Sequence, residues 1–149
     1  MTTTVRKASL APGRSTSEKL LGIGFKNTGQ LLHAIERGFS FHTLEHVRRE
    51  TGLPMNRLAD SIGISPRTLT RRKKENKLTA SESDRLVSLS RLLMLAIDLF
   101  AGNSEKAFRW FVTPSPALGN ISPIEMAGTE TGAREVENLI GRLEHGVFS

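Results

Sequence analysis

Seven apolar residues between Leu86 and Phe100 recur at spacings of three and four: Leu86, Leu89, Leu92, Leu93, Ala96, Ile97 and Phe100. An α-helix turns once in about 3.6 residues, so this pattern lines one helical face. Such a stripe must be covered by other apolar elements of the chain. Nowhere does a sustained apolar/polar alternation of the strand kind appear. The expected fold is therefore all-α, helix packed on helix.

Start and stop signals divide the rest into further helices. Thr28 is placed to cap a helix with Leu31, Leu32 and Ile35 on one face, and Gly38 to end it. Ser40 opens a second helix through Arg49, with Leu44 and Val47 inward and Gly52 as its stop. Pro54 suits the first position of the next helix, which carries Leu58, Ala59 and Ile62 and halts at Gly63. Ser65 and Pro66 start another, through about Lys74. Ser81-Glu82-Ser83-Asp84 approximates a capping box for the long helix, with Asp in place of Glu; Gly102-Asn103 breaks it after about Ala101. Residues 104–112 form a short helix with Phe108, Trp110 and Phe111, read as core. TPSPALGNISP must be a loop. Ser122-x-x-Glu125 starts a very short helix that Gly128 ends. Thr129 caps the last helix, with Ala133, Val136, Leu139, Ile140 and Leu143 inward and Gly146 as its stop.

The chain of 149 residues suffices for one ordinary domain or two small ones. It has no cysteine, which excludes disulfides and thiolate metal sites and fits the cytoplasm. No apolar run approaches the roughly 18 residues of a membrane span. The N-terminal MTTTVRKASLAPGRSTSE lacks a signal-peptide core, and residues 1–25 read as a flexible segment. Residues 26–78 and 79–149 read as two helical domains.

Charge divides the same way. Residues 66–77 hold six basic groups and one acid; residues 117–149 hold two arginines and five glutamates. A basic middle and an acidic end suit two different partners.

Residues 55–74 fit a helix-turn-helix. Ala59 is small where two helices would approach closely, and Gly63 falls where the turn needs positive φ. Leu58, Ile62, Ile64 and Leu69 take the buried positions. Arg72 departs from the pattern, standing where an apolar side chain usually packs. In a major groove, Arg67 and Thr68 would reach base edges, with Thr70 and Arg71 one turn on. Arg72, Lys73, Lys74 and Lys77 suit phosphate contacts. The helix start at Ser65 can also accept a phosphate. One such unit binds a short half-site weakly, so a homodimer on operator DNA is expected.

The chain from about Thr28 to Ser149 resembles the Xre antitoxins of RES–Xre toxin–antitoxin modules, the MbcA/ParS/Xre group. The resemblance rests on ESDRL (82–86), the helix ending in LF (99–100), Trp110 followed by Pro114, PALGNISPIEM (116–126) and TETGAREVENLIGRLEHG (129–146). It implies an N-terminal helix-turn-helix domain followed by a small helical toxin-binding domain. It also implies a partner, a RES-domain toxin from the same operon that depletes NAD+. The antitoxin would cover that toxin's active-site cleft and repress its own promoter, without being an enzyme. A site for an NAD pyrophosphate is basic, and the acidic C-terminal segment complements it. Glu130, Arg134, Glu137, Arg142, Glu144, His145, Val147, Phe148 and Ser149 are the expected toxin contacts. The bland alternative makes the glutamates the solvated face of an amphipathic helix.

Other constellations carry less. His42 and His46 stand four apart with Glu45 between them, but no third ligand is evident, and no metal or cofactor is expected. His33 has no partner in sequence. Gly22, Gly24 and Gly29 lack the Gly-Lys-Ser/Thr of a phosphate loop, and no serine sits in a nucleophile elbow, so no catalytic residue is assigned. Two rivals stand beside the antitoxin reading. One is a plain regulator whose rear domain dimerises or senses a ligand. The other is an inhibitor whose DNA reading is spoiled by a distortion at Arg72. Separable domains would let a chain truncated before Ala117 keep DNA binding and lose neutralisation.

Overall fold

The structure is a computed structural model that describes residues 14–146, with side chains from Glu18 onward. Nine α-helices run in order among the described residues: α1 (Arg14–Leu21), α2 (Thr28–Arg37), α3 (Phe41–Thr51), α4 (Met55–Ser61), α5 (Pro66–Glu75), α6 (Ala80–Leu99), α7 (Ser104–Phe111), α8 (Pro123–Met126) and α9 (Glu130–Glu144). A 3-10 turn covers Pro116–Leu118, and the one extended pairing among the described residues is an isolated bridge between Ser115 and Ile121. The fold is all-α, as the spacing requires. No described helix is long and apolar enough to cross a membrane.

The apolar stripe makes α6 the spine. Leu86, Leu89, Leu92, Leu93 and Ala96 are buried. Helices α1, α2, α7 and α9 all pack on it. Helix α4 meets the short α8, so the front of the chain touches the rear directly. One contiguous core runs from Leu20 to Ile140. Its aromatic members include Phe39, Phe41, Phe108 and Phe111, with Trp110 half-buried against them.

Several local expectations are corrected. The first 25 residues do not form a uniformly flexible segment, because α1 buries Leu20 and Leu21 against α3 and α6; residues 1–13 lie outside the described part. Asn27, not Thr28, caps α2, its side chain accepting from the Gln30 N–H at 2.9 Å. Leu32 is 53% exposed, since it turns about 100° away from the Leu31–Ile35 line. Pro54 sits at the cap of α4 rather than inside it. Thr79, not Ser81, caps α6. Its hydroxyl accepts from the Glu82 N–H at 3.1 Å, and the Glu82 carboxylate accepts from the Thr79 N–H at 2.9 Å. Thr79-x-x-Glu82 is the fuller capping box, because glutamate reaches back where the shorter Asp84 does not.

The continuous core bears on the truncation before Ala117. Residues after 116 bury Leu118, Ile124, Val136, Leu139 and Ile140. Each such side chain stabilises the fold by about 1.5–3 kcal/mol. A chain ending at 116 would leave the facing side of α6 uncovered.

Candidate functional site

Helices α4 and α5 meet across a four-residue connection, Ile62–Ser65. Gly63 holds φ at +84°, a value that side chains with a Cβ rarely adopt. The Ile64 N–H returns to the Ala59 carbonyl at 2.8 Å, and the Gly63 N–H to Asp60 at 3.0 Å, closing the turn. Leu58, Ala59, Ile62 and Ile64 are buried beneath it, and Leu69 is half-buried.

Ser65 caps α5, its Oγ accepting from the Thr68 N–H at 3.3 Å. The Ser65 hydroxyl also donates to Thr68 Oγ1 at 3.1 Å, so half-buried Thr68 is occupied by the cap. Arg67, Thr70, Arg71 and Lys74 are all exposed. At about 100° per residue they fall within one narrow sector of the helix, opposite Leu69. The Thr70 hydroxyl donates to the Pro66 carbonyl at 3.3 Å. Lys73 lies exposed on the flank and Lys77 just beyond the helix end.

Arg72 is not on that outward face. Its Nε and one terminal nitrogen donate to the two Glu82 carboxylate oxygens at 2.8 and 3.0 Å. Their side chains keep only 14% and 11% of their exposure, so the guanidinium fills the place of the usual apolar residue. Glu75 lies 3.6 Å away on the other side. The hydrogen bond to Glu82 raises the guanidinium pKa further. Burial works against the Glu82 charge, but Arg72 and the Thr79 N–H outweigh it and hold the carboxyl below its ordinary range. Arg72 is thus engaged with Glu82 instead of standing on the outward face with Arg67, Thr70, Arg71 and Lys74. Helix α5 stays regular past it to Glu75, so Arg72 does not distort the helix.

The rear unit ends in α9. The Thr129 Oγ1 caps it, accepting from the Gly132 N–H at 3.0 Å. A Cβ on Gly132 would run into the Met126 carbonyl, which explains a glycine one turn inside a helix. Val136, Leu139 and Ile140 seal α9 onto α6, with Leu143 half-buried. Glu130, Arg134, Glu135, Arg142, Glu144 and His145 point to solvent. Glu137 is half-buried and held by Arg91, with two bonds of 2.9 and 3.0 Å. That pairing lowers the Glu137 carboxyl below its ordinary range. Burial, then the nearby Glu144, push the Asp98 carboxyl up.

These residues do not form one site. Arg142, Glu144 and His145 border an open groove of about 590 Å³ between α6 and α9, with Leu95 and Gly141 in its wall. Glu130 lines a separate recess with Ser81, Asp84 and Arg85. At 1.5 Å per residue, about 20 Å of helix separates Glu130 from Glu144. Val147, Phe148 and Ser149 lie outside the described residues.

Two arginines that the sequence left unassigned tie front to rear. Arg57 on α4 donates to Ser122 Oγ at 3.3 Å and to the Val112 carbonyl at 3.5 Å. Arg85 on α6 lies against Gly63 and donates to the Gly128 carbonyl. Neighbouring sequence offers no signal for either, because their partners lie 43 to 65 residues away. Two histidines have partners of their own: His42 Nδ1 pairs with Glu45 of the same helix at 3.1 Å, and His46 Nε2 with the Lys19 carbonyl of α1 at 3.1 Å.

A tight turn between two helices, a cationic outward face and a second helical unit closed by α9 define a helix-turn-helix protein with an appended helical domain. Comparison with known families makes the class specific. The antitoxin Xre-like helix-turn-helix domain matches residues 30–91. The antitoxin Xre/MbcA/ParS C-terminal toxin-binding domain matches residues 95–146. The two meet within α6. An antitoxin Xre of Yersinia enterocolitica is 42% identical over 120 residues, covering 80% of this chain and 81% of the relative. One of Photorhabdus laumondii is 35% identical over 130 residues, covering 85% and 88%. A protein of Sphingobium named Prs ADP-ribosylating antitoxin is 21% identical over 124 residues, covering 77% and 78%. The chain belongs to the Xre antitoxin family. It joins a helix-turn-helix domain, which implies a DNA partner, to a toxin-binding domain, which implies a toxin.

Proposed function

We propose that this antitoxin neutralises a RES-domain toxin of its own operon, one that depletes NAD+, by covering the toxin's active-site cleft with the C-terminal domain. On this reading it also represses its own promoter through α5, acts as a homodimer in the cytoplasm, and performs no catalysis itself. The observation that carries the reading is α9. Its apolar side is sealed to α6 while Glu130, Glu135 and Glu144 remain open to a partner. A cleft that binds a pyrophosphate presents positive charge, and an acidic helix complements it. The name of the Sphingobium relative links an antitoxin with ADP-ribosylation, a chemistry that consumes NAD+.

The test is NAD+ consumption by the adjacent RES-domain product, alone, with the full chain, and with a full chain carrying Arg142→Ala and Glu144→Ala. Inhibition by the full chain, weakened by the double variant, supports neutralisation through the end of α9. NAD+ loss indifferent to the full chain overturns this reading and returns the protein to a regulator whose rear domain serves another partner.

A further inference from the structure

Among the ten residues of α5 none is fully buried. Leu69 and Thr68 are half-buried, and the outward residues face solvent. A helix so thinly anchored has little apolar contact to fix its rotation about its own axis. One other contact reaches inward along its length, the two-pronged Arg72–Glu82 pair. Two parallel hydrogen bonds from a planar guanidinium fix an orientation as well as a distance, which a single point contact does not. The acceptor is itself held, because Glu82 closes the capping box at the start of the 20-residue α6. The far end of α5 is tied separately, by buried Leu78 and its N–H to the Phe39 carbonyl at 2.8 Å.

We infer that Arg72 is a positioning residue for DNA reading: locked on Glu82, it sets the roll of α5 so that Arg67, Thr70, Arg71 and Lys74 meet the groove together. The inference rests on the reading of α5 as the operator-binding helix. Arg72 touches no base or phosphate on this view. Its effect falls on sequence preference, which depends on side-chain register, and not on the electrostatic affinity that all DNA shares.

The experiment uses the full chain and two DNA fragments, the region just upstream of its own operon and a scrambled fragment of equal length. Each is titrated across a salt series with Arg72→Leu, Arg72→Lys and Glu82→Gln, after thermal unfolding shows which variants fold. Folded variants are expected to lose roughly tenfold or more of the preference for the upstream fragment. Binding to the scrambled fragment, its salt slope and inhibition of the toxin stay unchanged. Glu82→Gln separates the roles most sharply, because it leaves the arginine charged but loosens its seat. If Arg72 contacted a phosphate, Arg72→Leu would weaken both fragments alike and flatten the salt slope by about one, while Glu82→Gln would not weaken either; that result overturns the inference. So does an unchanged preference in a folded Arg72→Leu chain. If Arg72→Leu does not fold, Arg72→Lys and Glu82→Gln decide. Equal binding of the two fragments by the unaltered chain sinks the operator reading and the inference with it; a preference kept by the variants sinks the inference alone.

Discussion

Arg57, in the first helix of the helix-turn-helix, donates a hydrogen bond to the hydroxyl of Ser122, the residue that caps α8 in the toxin-binding domain. The two units are thus joined by side chains as well as by the spine of α6. Arg57→Ala removes that bond and the one to Val112, leaving a buried hydroxyl and a carbonyl short of a donor. The expected loss is about 1–2 kcal/mol. Thermal unfolding should remain one transition, because the core is shared; a split into two transitions would show that the units unfold apart.

Ile140 is 1% exposed and lies where α9 closes on α6. Ile140→Ala should cost about 2–5 kcal/mol through lost burial and the cavity left behind. The variant should lose operator binding and toxin binding over the same range of denaturant. Operator binding that survives well past the loss of toxin binding would argue for independent halves.

The Glu82 carboxyl titrates below its unfolded value, so it contributes stability above about pH 4.5, and that contribution disappears as pH falls through the lower folded value. Glu82→Gln should therefore be less stable than the parent near pH 7, with the gap narrowing towards pH 3. Asp98 acts in the opposite sense. Its folded value is raised, so it weakens the fold as pH climbs through that value, and Asp98→Asn should gain slightly near neutrality. Denaturant midpoints at pH 3, 5 and 7 check both signs.

Arg71 faces outward on α5 and is exposed to solvent. Arg71→Ala should weaken operator binding. If the side chain meets a phosphate, the slope of log affinity against log salt should fall by about one. If it meets a guanine, the slope changes less and the preference for the upstream fragment drops by about 1–3 kcal/mol. No change in either quantity would remove Arg71 from the interface.

Much of the helix order is readable in sequence because its caps act locally. Ser40, Ser65, Ser122 and Thr129 each bond a backbone N–H two or three residues on, so a short window contains the whole interaction. Gly63 is legible for the same reason. Helix α1 is not, because Leu20 and Leu21 stand in a polar stretch with no periodic partners, and only α3 and α6 make them core. Arg72 already stands out in sequence, at a position where an apolar side chain usually packs, but its partner Glu82 is visible only once α6 is placed beside α5. The pairing of Arg91 with Glu137 spans 46 residues and has no local trace. The charged residues of α9 are legible one by one, but their separation into two recesses follows from its length and from what α6 sets beneath it.

The long helix α6 belongs to both units, and both depend on it for a core. The two units are accordingly expected to unfold together. A protease that pulls the unfolded chain from equilibrium would remove the helix-turn-helix domain and the toxin-binding domain in the same event.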